Sequence, residues 1–358
     1  MAWQGISGHD AVVDNFRRSL AEGRLASTYL FVGPPGVGKH TFALRLAQAL
    51  LCETSPEVEL DPCGQCSACV QVAAGTHPDL HLVSKEPDRS FIPVAAFIGD
   101  DAHRMREGLC HWIGLKPFRG RRKIAIVDDA DLLNEEGANC LLKTLEEPPP
   151  RSLLILVGTS AEQQLPTIRS RAQVIRFRPL PAEIVAELLL TTDVVSESAE
   201  ATRLAQHSHG SLQWAAQLAD PELWEFRAQL LGKLAKVHFD SVKVARWIAA
   251  FVDEAGKEAT ARRQRARQVV AFVLEFYRGL MRRVSGSPID GDAELSAATA
   301  AAASAWPGAS DRVVECMDRC LETLTHIDRN ANQATLIDCW VDDLAKITSR
   351  REPALSRG

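Results

Sequence analysis

Three groups of residues in this chain have the types and spacing to do chemistry. The first is Gly33-Pro34-Pro35-Gly36-Val37-Gly38-Lys39-His40-Thr41. Glycines at 33, 36 and 38 let backbone N–H groups converge on phosphate oxygens. Lys39 reaches terminal phosphates, and a helix starting there adds the partial positive charge of its N-terminus. The residue after such a lysine is ordinarily Ser or Thr, whose hydroxyl holds magnesium. Here it is His40, and Thr41, one place later, points about 100° further round a helix. The loop supports nucleotide binding more firmly than metal-assisted hydrolysis. The second group is Asp128-Asp129-Ala130-Asp131, which follows the apolar run Ile124-Ala125-Ile126-Val127. Asp128, ending a buried strand, is where magnesium is held beside a phosphate loop. A hydrolytic site wants a glutamate next, to polarise water, and Asp129 is one methylene shorter. The third group is Cys52, Cys63, Cys66 and Cys69, spaced C-x10-C-x2-C-x2-C. Four thiolates at these separations can close a tetrahedral Zn²⁺ site with no open position, which points to structure and not catalysis. His77 and His81 are spare ligand candidates, ranked well below the cysteines.

These groups need a scaffold, and the first 178 residues read as one. Tyr29–Val32, Ile124–Val127, Leu153–Val157 and Val174-Ile175 look like buried strands, separated by helical patterns such as Phe42–Leu50 and Ala138–Leu145. Such alternation implies an α/β fold: a mostly parallel sheet with helices on both faces. After Pro179-Leu180-Pro181 the strand signal vanishes. Residues 179–220 read as a short helical region, with one helix around Ile184–Leu190 and others around the His209-Gly210-Ser211 turn. Residues 221–350 read as an all-α domain, with a loop near Ser285 to Pro288, and 351–358 as a frayed tail. The Ala/Ser-rich stretch at 296–305 suits either a helix or a loop.

At 358 residues the chain has room for two or three domains. A net charge of −5 excludes a chain that wraps nucleic acid through its overall field, leaving only local patches or partners. No apolar run approaches the roughly 20 residues of a membrane span. Met1-Ala2-Trp3-Gln4-Gly5 lacks the basic-then-apolar pattern of a secretory leader, and nine cysteines, an odd number, argue against a disulfide framework. The expected setting is a reducing cytoplasm.

One run narrows the reading. Asn139-Cys140-Leu141-Leu142-Lys143-Thr144-Leu145-Glu146-Glu147-Pro148-Pro149, preceded by Asp128–Asp131 and followed by Leu165-Pro166-Thr167-Ile168-Arg169-Ser170-Arg171, closely resembles the AAA+ subunits of the bacterial DNA polymerase III clamp loader. The cysteine knuckle after the phosphate-loop helix is similar to the zinc module of that family. The resemblance is dense over about residues 1–178. Beyond that only the layout matches: AAA+ core, helical lid and C-terminal helical collar serving oligomerisation. It implies that Arg171 acts as an arginine finger on a neighbouring subunit's ATP, with Ala172 replacing the usual cysteine after it. It places Ser160 at the first sensor position, against the terminal phosphate. A second-sensor arginine is expected in the lid, but the run is Gly210-Ser211-Leu212-Gln213, and a neutral amide cannot supply that charge.

His40, Asp129 and Gln213 thus weaken one active site together. Within the family they favour the delta-prime kind of subunit, which donates Arg171 without driving hydrolysis, over the ATP-hydrolysing gamma/tau kind. The family role is ATP-driven loading of the sliding clamp onto primed DNA, within the polymerase III holoenzyme but not as its polymerase. The implied partners are the gamma/tau and delta subunits, the sliding clamp and primer-template DNA, with no membrane. The implied cofactors are structural Zn²⁺, with ATP and Mg²⁺ as candidates at Gly33, Gly36, Gly38, Lys39, His40, Thr41, Asp128, Asp129 and Ser160. A AAA+ adaptor outside replication is disfavoured by the Leu141–Pro149 run.

Weaker signals remain. Arg119-Gly120-Arg121-Arg122-Lys123 could touch DNA phosphates, but reads first as a solvated loop before a strand. Arg262, Arg263, Arg265 and Arg267 surround a helix instead of lining one face, which suits solvation or ion pairs to another subunit. Cys316 and Cys320, at i and i+4, suit a core face. Trp3, Ile6 and His9 occupy the stretch that lies near the adenine in similar proteins, or simply pack the N-terminus.

Overall fold

A computed structural model describes residues 3–349 except 87, 88, 90, 120, 237, 288–291 and 307–309. The expected tail at 351–358, Pro288 of the expected loop and Gly120 of the basic cluster lie outside the described residues. The chain forms two compact units, residues 1–219 and 220–358.

In the first unit five strands, β1 (Thr28–Val32), β2 (Leu80–Val83), β3 (Lys123–Val127), β4 (Ser152–Val157) and β5 (Gln173–Arg176), pair in the order β2-β3-β4-β1-β5, all parallel. Helices α1 (Asp10–Ala21), α2 (Lys39–Leu51), α3 (Ser67–Ala73), α4 (Ala95–Ile98), α5 (Gly108–Gly114), α6 (Glu135–Glu146) and α7 (Pro166–Arg169) surround the sheet. Every residue of β1, β3 and β4 is buried. The two-residue period of a strand therefore feeds two cores. Tyr29, Phe31, Ile124, Ile126, Leu153 and Ile155 pack with Phe16 of α1 and with Phe42 and Leu46 of α2. Leu30, Val32, Ala125, Val127, Leu154 and Leu156 pack with Phe97, Ile113, Leu141 and Leu145 on the opposite face. Burying one such side chain contributes about 1.5–3 kcal/mol. The ring of Phe42 lies 5.8 Å from that of Phe31 and 5.2 Å from that of Phe177. These contacts pin α2, and with it the phosphate loop, to the sheet.

Strand β2 was not anticipated. Its sequence, Leu-His-Leu-Val, is short and interrupted by a histidine, and as an edge strand it leaves Leu82 exposed. A partly solvated edge needs no continuous apolar run. After β5 come α8 (Ala182–Thr191), α9 (Ser198–His207) and α10 (Leu212–Gln217), within the same compact unit.

The second unit is helical among its described residues: α11 (Pro221–Leu234), α12 (Ser241–Asp253), α13 (Ala259–Val284), α14 (Ala293–Ala305), α15 (Ser310–Asp328) and α16 (Gln333–Ser349). The Ala/Ser stretch lies within α14, capped where Asp292 accepts from the Leu295 N–H at 2.7 Å. Its small residues serve close packing: a Cβ added at Gly279 of α13 would meet Thr299 Cγ2 at 3.2 Å. Cys316 and Cys320 are fully buried, and burial pushes both thiols up to about 12. Arg227 is 1% exposed and bridges Glu275 (3.2 Å) and Asp292 (2.7 Å), ion pairs that clip α11 to α13 and to the start of α14.

Candidate functional site

The phosphate loop leaves the C-terminal end of β1, and two of its glycines are required by contact. At Gly33 a Cβ would fall 2.3 Å from the carbonyl oxygen of Phe177. At Gly36, with φ at +74°, it would fall 2.2 Å from Ser211 Oγ and 2.7 Å from Gln213 Cβ. The Leu212 N–H also donates to the Gly36 carbonyl at 3.0 Å, so the start of α10 lies on the loop. Gly38 caps α2 in the left-handed region. Lys39 is 7% exposed, and its Nζ donates to the carbonyls of Gly33 (2.6 Å) and Pro34 (2.7 Å). Burial lowers its pKa, opposed by the charges of Asp131 and Asp128.

A cleft of about 600 Å³ opens here. It brings together Gly36, Gly38, Lys39, His40, Thr41, Asp128 and Asp129 from the expected set, with Ile6, His9, Asp131, Thr159 and Gln213. His9 Nε2 lies 2.7 Å from the Val37 carbonyl, which ties the N-terminal segment to the loop. Trp3 points elsewhere: its indole N–H donates to the Leu60 carbonyl at 2.6 Å and its ring packs on Phe42.

The central contact of the cleft is between residues 40 and 128. His40 Nδ1 lies 2.8 Å from Asp128 Oδ2. The close approach of the Asp128 carboxylate raises the His40 pKa, against the opposing pull of burial. Burial would raise the Asp128 carboxyl, but the His40 partner outweighs it and holds the group below its usual range. The other carboxylate oxygen, Oδ1, accepts from the Asp129 N–H at 3.0 Å. Asp129 itself sits at φ +53°, and burial, followed by the charge of Asp128, raises its carboxyl.

At the end of β4, Thr159 and not Ser160 is among the residues lining the cleft. Sequence reasoning passed over the residue that arranges this segment. Asp131 accepts from the Thr159 N–H (2.6 Å) and the Gln164 side-chain amide (2.8 Å), and a Cβ at Gly158 would strike it at 2.5 Å. Local sequence holds only one signal for this, the glycine after a buried strand.

Arg171 is not among the residues lining this cleft. It follows α7, its side chain 34% exposed, and its guanidinium donates to the Thr167 carbonyl at 3.1 Å and to Glu146 Oε1 at 2.8 Å. Glu146, at the end of α6, belongs to the Leu145-Glu146-Glu147-Pro148-Pro149 run and was not singled out from sequence.

The four cysteine sulfurs lie within 4.8 Å of one another. The Cys52–Cys66 and Cys63–Cys69 separations are both 3.9 Å. Ligands about 2.3 Å from a tetrahedral centre stand about 3.8 Å apart, so the cluster is compatible with structural zinc. Backbone N–H groups aim at the sulfurs, as thiolates require: Cys66 N–H to Cys63 (3.2 Å) and Cys69 N–H to Cys66 (3.4 Å). Burial opposes ionisation of Cys52, but N–H donors from Cys63 and Ser55 and the Thr54 hydroxyl bring its thiol down to about 5. His77 lies apart, its Nδ1 accepting from the Asp79 N–H at 3.0 Å, and the His81 ring lies tilted against Trp112, 5.1 Å between centres.

The basic cluster is turned toward this module. Arg119 pairs with Glu53, Arg121 donates to the Ser55 carbonyl at 3.3 Å, and Arg122 meets Glu57 at 2.5 Å. Lys123 is buried 3.6 Å from Asp79 and 3.8 Å from the Trp112 ring centre. Within the unit Arg119, Arg122 and Lys123 meet carboxylates, and Arg121 meets backbone carbonyls, so the cluster is tied to the fold more closely than a solvated loop. On α13, Arg265 reaches Asp220 at 3.0 Å and Arg262 reaches Asp253 at 3.3 Å, ion pairs within the second unit.

A parallel sheet in this order, with a lysine-bearing glycine loop after β1 and an acidic run after β3, defines a P-loop domain of the AAA+ class. Residues 8–181 match the family model described as "DNA polymerase III, delta subunit". Over that stretch the chain is similar to subunits of bacterial DNA polymerase III. The chain is 32% identical over 221 residues to DNA polymerase III subunit delta' of Bacillus subtilis, covering 62% of each. It is 34% identical over 213 residues to the Pseudomonas aeruginosa subunit delta', covering 59% of this chain and 61% of that one. A DNA polymerase III subunit gamma/tau of Mycobacterium tuberculosis is 34% identical over 185 residues, 51% of this chain and 30% of that one. The chain thus spans about three-fifths of the delta' relatives it matches.

Proposed function

We propose that the chain is a delta-prime-type subunit of the DNA polymerase III clamp loader. It helps an ATP-driven assembly place the sliding clamp on primed DNA, and it does not drive hydrolysis itself. One observation carries this reading: the groups expected to hold a catalytic metal, residue 40 and Asp128, are engaged with each other. Arg171 meanwhile stands outside the chain's own cleft, its guanidinium oriented by Glu146. A planar cation outside the chain's own cleft is suited to meet a phosphoryl group on another molecule. Its chemistry would be to stabilise charge developing on a neighbour's γ-phosphate. The four cysteines hold Zn²⁺ in a structural role, and the proposed partners are the other loader subunits, the clamp and, through the complex, primer-template DNA. The gamma/tau reading is kept by the 34% identity to gamma/tau subunits but disfavoured by His40.

The test is reconstitution with the other loader subunits, followed by ATPase measurement. The isolated chain should show negligible magnesium-dependent turnover. Arg171→Ala should leave assembly intact and slow the loader, since a finger is worth about 10³ in rate at the site it serves. Normal turnover by the assembled variant refutes the assignment.

A further inference from the structure

We infer that this cleft takes a nucleoside di- or triphosphate without a divalent metal ion, the His40–Asp128 contact standing where a metal and its protein ligands would otherwise be. The inference rests on the nucleotide reading of the cleft and concerns how that ligand is held. The elements that recognise phosphate are present: the positive-φ glycines at 33, 36 and 38, the N-terminus of the 13-residue helix α2, and Lys39 at its first turn, whose Nζ would exchange the Gly33 and Pro34 carbonyls for phosphate oxygens. The same cleft is lined by Ile6, Leu180, Leu188 and Leu212, apolar surface suited to the face of a base.

The elements that would hold magnesium are not available. Magnesium requires oxygen ligands in near-octahedral array. Position 40 offers an imidazole in place of a hydroxyl. The two oxygens of Asp128 are engaged within the protein, Oδ2 by His40 at 2.8 Å and Oδ1 by the Asp129 N–H at 3.0 Å. A metal would have to break the first of these contacts and accept a ligand set lacking the hydroxyl. The residues present therefore do not fit magnesium, although they fit the phosphates it usually accompanies. Nucleotide binding and metal binding, joined in a hydrolysing site, are separated in this one.

The test is titration of the full-length chain with a fluorescent ADP analogue and with ATP. The buffer is freed of divalent ions by resin, so that no soluble chelator strips the cysteine module, and the titration is repeated in millimolar magnesium. The expected result is saturable binding whose Kd differs by less than about threefold between the two buffers. His40→Ser, which supplies a hydroxyl and frees Asp128, should instead bind about tenfold more tightly with magnesium than without. A wild-type protein that binds only with magnesium overturns the inference, as does a serine variant as indifferent to magnesium as the parent. An absence of binding in both buffers refutes the nucleotide reading beneath it, and the inference falls with it.

Discussion

Replacing Gly36 by alanine should loosen the lid from the phosphate loop, and its effect can be worked out against Gly38→Ala as a control. Both glycines hold positive φ, +74° and +94°, so each substitution places a Cβ in the left-handed region at about 1–2 kcal/mol. Around Gly38 the added atom meets nothing within 4 Å, and the backbone penalty is the whole effect. At Gly36 it meets Ser211 Oγ at 2.2 Å and Gln213 Cβ at 2.7 Å. Rotating Ser211 away gives up the cap it makes to the Trp214 N–H at 3.1 Å, worth about 1 kcal/mol. Gln213 Cβ cannot rotate away at all, so α10 must shift, at about 1–3 kcal/mol for overpacking. Gly36→Ala should therefore destabilise the first unit by about 3–6 kcal/mol and Gly38→Ala by about 1–2. For a unit of this size each kcal/mol lowers Tm by about 2–4 °C. Calorimetry of the full chain should show the first unit's transition falling by roughly 10 °C or more for Gly36→Ala and by only about 5 °C for Gly38→Ala. Equal shifts for the two variants would refute the claim that the lid is seated on the loop through Gly36.

Other consequences can be measured directly. Metal analysis should find about one zinc per chain, lost on replacing Cys63 and Cys66. Zinc removal should also change Trp3 fluorescence, because the indole N–H donates to Leu60 in the module; unchanged emission would show that the module holds its shape without metal. Truncating Arg227 to alanine leaves Glu275 and Asp292 facing a cavity and should destabilise the second unit by about 3–5 kcal/mol in urea unfolding, whereas lysine, which keeps a cation there, should lose less. Asp79→Ala removes the acceptor for the Phe118 and Arg119 N–H groups (2.7 and 2.9 Å) and the partner of buried Lys123. A loss of about 2–4 kcal/mol in the first unit is expected, and less than about 1 would show that water replaces the carboxylate without penalty.

Much of this protein is local and was legible in the chain. A glycine-rich turn between an apolar strand and a helix needs no distant partner to be recognised, and neither do three cysteines within seven residues. The fully buried strands β1, β3 and β4 announce themselves as continuous apolar runs, because both their faces meet helices. Edge strand β2 gave no such signal, since half of it meets water. The Ala-rich stretch was ambiguous because small residues make helix or loop equally well alone; packing on Gly279 decided for helix.

What tertiary structure decided was pairing. That residue 40 is a histidine could be read directly, but its contact with Asp128 joins residues 88 positions apart and follows from β1 and β3 flanking β4 in the sheet. The arginines at 119, 121 and 122 looked like a free basic patch until the fold brought Glu53, Ser55 and Glu57 against them. The choice of Thr159 over Ser160 depended on where β4 ends, set by Asp131 from another segment. Residue type and local spacing determine which chemistry a segment can offer. Only the fold determines which charges meet, because ion pairs and hydrogen bonds depend on distance through space and not along the chain.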